Sequence, residues 1–363
     1  MSEAILNMNE FQSSFPEGAC NSIFIRSAYA VSPQLSFELL IENPEQYSGA
    51  QLICKEPDYT KYIDQKLIRR MSRIIKMGAA AAMECVQTSG VAMPDAIISG
   101  TAYGCLADTE QFLTRMVEFK EELLSPTAFI QSTHNTVGAQ IALMLQCHNY
   151  NNTYVHRGSS FETALLDAIS LIQDDDAEKV LVGGVDEITE KSHAILKRFG
   201  LYKKDGNTET LINSGTKGTM AGEGAAFFLL TKSKENSWAK LDAIQTFYKP
   251  ETESVVLIKR FLEGNNVSIS DIDLVILGNN GDEQADEHYN KLAGALFAGK
   301  NCITYKQYCG EYPTSSSFAL WLASKILNSG KVPGKSTALA PRRILIYNNY
   351  KLQYPSLYLL SAC

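Results

Sequence analysis

The sequence predicts an α/β protein built of two duplicated halves, and three observations carry that expectation. Apolar, β-branched runs alternate with longer stretches whose apolar residues recur at helical spacing. Four elements of the first part return in the same order in the second. Residues 152–169, Asn-Thr-Tyr-Val-His-Arg-Gly-Ser-Ser-Phe-Glu-Thr-Ala-Leu-Leu-Asp-Ala-Ile, pass from a β-branched and aromatic run through small residues into an amphipathic stretch, reading as strand, elbow and buried helix. A chain of 363 residues, 45% hydrophobic, exceeds the usual size of a single core. Two units are therefore expected, residues 1–232 and 233–363, joined through the charged and polar stretch 231–238.

Taken in order, residues 1–20 are polar and mixed and are expected to be loosely ordered. Residues 23–33 read as a strand ending in the Ser32-Pro33 turn, and the following segment, with Pro44, Gly49 and Pro57, reads as loop. Residues 63–87 read as one long helix, in which Arg69, Arg70 and Arg73 mark a solvated face and Ala79 to Ala82 permit close packing. Residues 95–104 form a buried strand opening into a glycine turn and a helix to about Phe119. The spacing Gly100-x-x-x-Gly104 fits neither a dinucleotide nor a P-loop pattern. Lys179 to Asp186 reads as a core strand ending in the Gly183-Gly184 turn, and Gly222-Glu223-Gly224-Ala225 leads into an apolar strand whose glycines allow close backbone approach.

In the second half, Leu274 to Gly281 echoes the strand and turn at 97–104. Residues 316–327 echo the elbow helix, Arg343 to Asn349 the strand at 180–184, and Leu357 to Leu360 the strand at 227–230. Each echo alone is a common pattern; their shared order argues for duplication.

The totals exclude several classes of function. A net charge of −7 argues against nucleic acid as a partner, because phosphate neutralisation needs a basic face. The same charge weighs against strong docking of an acidic protein on this chain alone. No apolar run approaches the roughly 20 residues of a membrane span, so no membrane role is expected. Eight cysteines occur without Cys-x-x-Cys or Cys/His spacing, so neither metal nor cofactor is expected. With no basic and apolar leader at residues 1–6, a reduced, cytoplasmic protein is expected.

The elbow, the Arg69-Arg70-Met71-Ser72 segment before an alanine-rich helix, residues 125–139, the Val-Gly-Gly strand and the Gly-Glu-Gly-Ala strand together resemble the β-ketoacyl synthases, the condensing enzymes of fatty acid and polyketide synthesis. The resemblance runs from about Ile23 to Leu360. It implies a thiolase-like fold, with two α/β halves related by a pseudo-twofold in α-β-α-β-α layers and the elbow helix paired with its echo at the centre.

In that family a cysteine sits at the elbow, where a helix N-terminus lowers its pKa, and two histidines assist decarboxylative condensation. Counting back from Ala168, the family's alanine on the helix, the nucleophile's place falls on Gly158 and the family's serine on Ser160. The first histidine's turn reads Gly278-Asn279-Asn280-Gly281, so Asn279 or Asn280 replaces it. The second follows a lysine and a glycine, and here Lys306 and Gly310 persist while Glu311 replaces the histidine. An asparagine cannot carry imidazole's proton chemistry, and an ordinary glutamate is an anion near pH 7. The glycine-rich C-terminal loop of the family is unrecognisable at 348–352.

A condensing-enzyme scaffold without its triad resembles the chain length factors of type II polyketide systems. That resemblance implies a subunit not catalytic alone, paired as a heterodimer with a catalytic ketosynthase, with acyl carrier protein docking mainly on the partner. Phe129, Thr133, His134, Tyr154 and His156 are the expected tunnel or interface residues, and residues 114–138 are expected to help set acyl length. Known chain length factors commonly carry a glutamine where this chain has Gly158. Two other classes stay open: an acyltransferase using Ser160, or Glu311 as a base, and a homodimeric acyl-binding scaffold. Ser159 and Ser160 would need a base in reach. Cys105, Cys147 and Cys309 read as core or pocket-lining thiols.

Overall fold

A computed structural model of the protein describes residues 10–11, 22–122, 124–212, 214–335 and 339–363. Its strands are β1 (Glu10–Phe11), β2 (Ile23–Val31), β3 (Gln51–Leu52), β4 (Ala96–Gly100), β5 (Tyr150–Tyr154), β6 (Lys179–Asp186) and β7 (Ala221–Gly222). The remainder are β8 (Gly224–Thr231), β9 (Ala239–Phe247), β10 (Leu274–Leu277), β11 (Asn301–Thr304), β12 (Arg343–Tyr350) and β13 (Tyr354–Ala362). Of residues 1–20 only β1 is described, paired with Thr246 and Phe247 of β9; the rest of that expectation lies outside the described residues.

The main sheet runs β11-β10-β12-β13-β9-β2-β8-β6-β4-β5. Read outward from the β2–β9 seam, each side has the same plan. β2, β8 and β6 are antiparallel neighbours, then β4 and β5 join in parallel. β9, β13 and β12 are likewise antiparallel, then β10 and β11 join in parallel. The seam is short: Ile23, Phe24 and Ile25 face Leu241, Lys240 and Ala239. The duplication read from the order of elements is thus present as a repeated strand order.

The layers follow from strand periodicity, since successive side chains point to opposite faces. Ala96 and Ile98 of β4, Val180 and Val182 of β6, and Ala226, Phe228 and Leu230 of β8 face inward. They share one core with Ile344 and Ile346 of β12 and Tyr358 and Leu360 of β13. The Ser160–Gln173 and Ser316–Ser329 helices lie in that core through Phe161, Leu165, Phe318 and Leu322. The alternate residues Ile97, Leu181, Phe227 and Leu229 face outward, covered by the Arg73–Ser89 helix through Ile75 and Ala79 and by the Thr136–Leu145 helix through Val137 and Ile141. On the other half Val275, Leu345, Leu357 and Leu359 are covered by Leu257, Ile258, Phe261, Tyr289 and Leu292. Both faces of the inner strands of each half-sheet are buried, in keeping with α-β-α-β-α layering.

Three local expectations change. The stretch 63–87 is two helices, Gln65–Ile68 and Arg73–Ser89, because Ser72 takes an extended backbone as the second N-cap. The break turns Arg73 inward: its guanidinium donates twice, at 2.6 Å each, to the fully buried Glu223 carboxylate, so only Arg69 and Arg70 of the three remain exposed. Gly183-Gly184 is no turn; β6 runs through both to Asp186, and a Cβ on Gly183 would lie 2.4 Å from the Phe227 ring. The segment expected as loop after β2 carries the Phe37–Glu42 helix and β3.

Candidate functional site

The elbow forms as the pattern predicts. β5 is followed by Val155 and His156, one 3-10 turn at Arg157–Ser159, and the helix from Ser160. Arg157 sits at φ 52°, a left-handed conformation that strains a residue with a Cβ. The helix start is pressed against β4: a Cβ on Gly100 would lie 2.5 Å from the Ser160 carbonyl oxygen. Gly100 is therefore a packing glycine.

Gly158 is buried, and the space a side chain would need there is filled. A Cβ would lie 2.5 Å from Tyr350 Cδ1 and 2.9 Å from Tyr354 Cγ. Those tyrosines close the β12–β13 hairpin, whose turn residues Lys351 and Leu352 both hold φ 54°. Ser160 Oγ donates to the Arg157 carbonyl and accepts from the His156 N–H, each at 2.8 Å, so its hydroxyl serves the turn. Ser159 is buried as well. His156, read as lying on the strand, follows it and is exposed.

Asn280, Glu311 and Lys306 come together. Gly278 opens the turn after β10, where a Cβ would lie 2.5 Å from the Tyr289 hydroxyl. Asp286 Oδ1 accepts from the N–H groups of Asn280 (3.0 Å) and Gly281 (3.2 Å), fixing the turn. Asn280, rather than Asn279, reaches Glu311, with Nδ2 donating to Oε2 at 2.7 Å. Lys306 Nζ donates to both carboxylate oxygens of Glu311, at 2.8 and 2.6 Å, and Ser315 Oγ adds a longer contact of 3.4 Å. Lys306 is 0% exposed and Glu311 4%. Burial of a charge pair is tolerable when geometry and further interactions support it; here Asn280 and Ser315 add to the Glu311 carboxylate, and Lys306 Nζ lies 5.7 Å from the Tyr305 ring centroid.

Glu311 is also held through its backbone. Its N–H donates to the Met220 carbonyl, and its own carbonyl accepts from Gly222 N. A Cβ on Gly222 would lie 2.1 Å from the Cys309 carbonyl oxygen, so the Gly222-Glu223-Gly224 signature lets one half of the chain touch the other.

Two cavities flank this cluster. One, of about 410 Å³, is lined by Tyr202, Lys217, Asn280, Glu311, Tyr350 and Lys351 among others. The second, of about 160 Å³, lies beside Tyr103, Asp186, Glu187, His193, Tyr202 and Tyr312. Burial pushes the Asp186 carboxyl up to about 6 against the pull of the Ala102 N–H and the Thr314 and Thr101 hydroxyls. Burial likewise pushes Glu187 up to about 7, opposed by the Ala107 N–H and reinforced by Asp108. Burial and Lys197 lower the pKa of His193. Sequence analysis missed Glu187, His193, Tyr202, Tyr350 and Tyr354. The available signals were two adjacent carboxyls ending a buried strand and two tyrosines standing in the place of a glycine-rich loop.

The other expected residues lie elsewhere. Phe129 is 57% exposed and packs on Phe112, ring centroids 5.4 Å apart. Thr133 Oγ1 bonds the Ile130 carbonyl and Thr136 Oγ1. His134 is exposed against Gly104, and Tyr154 is half-buried at the sheet edge. Cys105, Cys147 and Cys309 are buried, and burial drives the thiols of Cys105 and Cys309 well up, away from thiolate. Among the described residues no group of His, Cys, Asp or Glu could hold a metal ion, and no helix is long and apolar enough to cross a membrane.

Residues 45–236, more than half of the chain, match the family described as β-ketoacyl synthase, N-terminal domain. No curated protein matches the sequence. The fold is similar to that of the ishigamide ketosynthase/chain length factor, at 14% identity over 94% of this chain and 99% of that one, TM-score 0.77. It is also similar to a ketosynthase (ApeO) in complex with its chain length factor (ApeC) from Xenorhabdus doucetiae, at 16% identity over 94% and 98%, TM-score 0.71. A third similar structure is AntDE:AntF, a type II PKS acyl-carrier protein in complex with its ketosynthase bound to the hexaketide, at 11% identity over 94% and 99%, TM-score 0.76. At such identities the likeness is one of fold. With the family match added, the layered, duplicated scaffold and its elbow place this chain among the β-ketoacyl synthases.

Proposed function

We propose that the chain is a non-catalytic, ketosynthase-like subunit of the chain-length-factor type, which pairs with an active β-ketoacyl synthase and helps shape the space for the growing acyl chain. The observation that carries this reading is the elbow. The place that the family's cysteine would take is Gly158, and Tyr350 and Tyr354 occupy the volume of any side chain there. Acyl transfer needs a nucleophile with a base in reach. The Ser160 hydroxyl is bonded to two backbone groups, and both oxygens of Glu311 are bonded to Lys306. These contacts weigh against Ser160 as nucleophile and Glu311 as base.

The flank of the first half supports pairing. Among the described residues β5 is an edge strand with one side unpaired. Leu143 stands 63% exposed on the Thr136–Leu145 helix that packs on it, and Leu113, Val117, Phe119, Phe129 and Ile130 stand 53–80% exposed on or directly after the Leu106–Glu118 and Pro126–Gln131 helices, which pack on each other. Such an edge with apolar cover invites a partner of like fold. The chain-length-factor and carrier-protein complexes among the similar structures make a catalytic ketosynthase and an acyl carrier protein the partners to test.

Co-expression with a ketosynthase and carrier protein from the same host, followed by native mass measurement, is expected to give a one-to-one ketosynthase pair. A homodimer that ignores the ketosynthase would favour the scaffold reading instead. Incubation of the isolated chain with a labelled acyl thioester is expected to leave its mass unchanged, and a stable adduct would overturn the non-catalytic assignment.

A further inference from the structure

We propose that the chain carries a second site, a hydrolase for short-chain carboxylic esters in which Ser254 is the nucleophile and His288 the base. The site lies in the second half, away from the elbow, and takes nothing from the proposed pairing with a ketosynthase.

It sits in a cavity of about 670 Å³ bounded by residues 249–255, the Glu283–Leu296 helix and the end of β12. Four polar side chains there form one hydrogen-bonded chain. Asn349 Nδ2 donates to the Tyr347 hydroxyl at 3.4 Å, that hydroxyl donates to Ser254 Oγ at 2.7 Å, and Ser254 Oγ stands 3.3 Å from His288 Nε2. Tyr347 directs its one proton at Ser254, so the Ser254 proton is left to face the imidazole. Nε2 also lies 3.1 Å from the Tyr347 oxygen. The ring is held between Tyr289 and Tyr347, with centroids 5.6 and 6.1 Å away. Burial lowers the pKa of His288, which keeps a lone pair free near pH 7, and raises that of Tyr347, which keeps it a donor. A hydroxyl, a base and a group that fixes both are the parts of an activated serine. Ser160 differs, for its hydroxyl is bonded to two backbone groups instead.

Two further observations point to a ligand. Asn349 lines the cavity at 6% exposure, yet its Oδ1 meets no donor among the described residues. A buried amide oxygen is costly in that state, and an N–H or O–H of a bound substrate satisfies it. Ser254 and Val255 open the Ser254–Gly264 helix, and among the described residues their N–H groups donate to no backbone carbonyl. They are donors for the oxyanion of a tetrahedral intermediate. Val255, Leu292 and Leu352 give an apolar wall for an acyl group. Of the lining cations, Lys291 is paired with Glu287 at 2.7 Å and Lys249 lies over the Tyr248 ring, while the lining carboxylates Glu251 and Glu253 select against an anionic substrate.

The reaction balances with water as co-reactant. Ser254 Oγ bonds to the ester carbon as His288 Nε2 takes its proton; the C–O bond to the alcohol then breaks, and that proton leaves with the alcohol. Water adds to the acyl-serine, again giving a proton to His288, and the carboxylic acid leaves as Ser254 is reprotonated. The acyl-serine turns over, so no adduct accumulates, and a trapped one is told from acylation at the elbow by the peptide that carries it.

The test treats the full chain with an alkyl fluorophosphonate and with p-nitrophenyl acetate. The fluorophosphonate is expected to add to the peptide that carries Ser254. His288→Gln is expected to slow that labelling at least about a hundredfold, and Ser254→Ala to abolish it and to lower ester hydrolysis by about the same factor. Ser170→Ala, at an exposed serine on the elbow helix, is expected to leave both unchanged. Ser254→Cys keeps the size of the side chain and so answers the question even if the alanine variant fails to fold. It is expected to be alkylated by iodoacetamide faster than the exposed native Cys363, because the imidazole favours the thiolate. An unlabelled Ser254, labelling that survives His288→Gln unchanged, hydrolysis that survives Ser254→Ala, or alkylation no faster than that of Cys363 each overturns the proposal. None of these results changes the native mass expected of the ketosynthase pair, so the two readings fail separately.

Discussion

At Glu311 both carboxylate oxygens find partners within the chain, whereas on the outer helices of the first half large apolar side chains stand in the open. The first region holds a buried lysine bonded twice to a buried carboxylate, with an asparagine completing the set. Two tyrosines fill the space at Gly158. The second presents Val117 at 80% exposure and Leu143 at 63%. The Glu311 oxygens and the space at Gly158 are thus engaged within the chain, while so apolar a flank loses nothing by being covered. On the proposed reading, the surface left unfinished is the surface for assembly.

The largest expected effect breaks the centre. Lys306→Met leaves the Glu311 carboxylate buried without its cation, and urea unfolding is expected to show a loss of about 3–5 kcal/mol. Adding Glu311→Leu should restore most of it, because an apolar pair of similar volume removes the orphaned charge. Persistence of the full loss in the double variant would mean that the pair does more than satisfy itself.

Next in size is the elbow. Gly158→Ala forces a methyl against Tyr350 and Tyr354 and is expected to cost about 1–3 kcal/mol. Gly158→Cys is expected to be destabilised similarly and to form no acyl adduct. Combining it with Tyr350→Ala makes room, and recovery of stability by that double variant would show that the tyrosine, not the backbone, closes the position.

On the flank the expected pattern inverts. Val117→Asp is expected to shift the stability of the isolated chain by no more than about 0.5 kcal/mol while abolishing the ketosynthase pair. Phe129→Ala is expected to change the length distribution of the products made by the pair. Unchanged products from an unchanged assembly would remove Phe129 from the acyl boundary.

The smallest effect is a pH dependence. Glu187 titrates higher in the folded chain, about 7, than an ordinary glutamate, so the folded state binds its proton more tightly than the unfolded state does. Its contribution is fully present below the unfolded pKa and is lost as pH rises through about 7. Thermal stability is therefore expected to fall between pH 5 and pH 8, and Glu187→Gln should make that fall shallower.

Much of the scaffold was legible because its strands are continuous apolar runs ended by glycines, and because the two halves repeat one order. The helix break at Arg69–Ser72 was not legible, since the need to turn Arg73 toward Glu223 arises from a contact 150 residues away. The same holds at the site. Asn280, Lys306 and Glu311 could be named from a resemblance, but not that they bond to each other. That Gly158 is a filled position, not merely an empty one, depends on tyrosines nearly 200 residues downstream. Local pattern reports on neighbours in sequence; occupancy of a volume depends on whatever the fold brings there.

The seam joining β2 to β9 is only three residue pairs long, yet each half sends a helix into the same interior. Cleaving the backbone within 232–238 would therefore yield two fragments that migrate as one particle. They are expected to come apart only under conditions that melt both, so that a protease would liberate neither half alone.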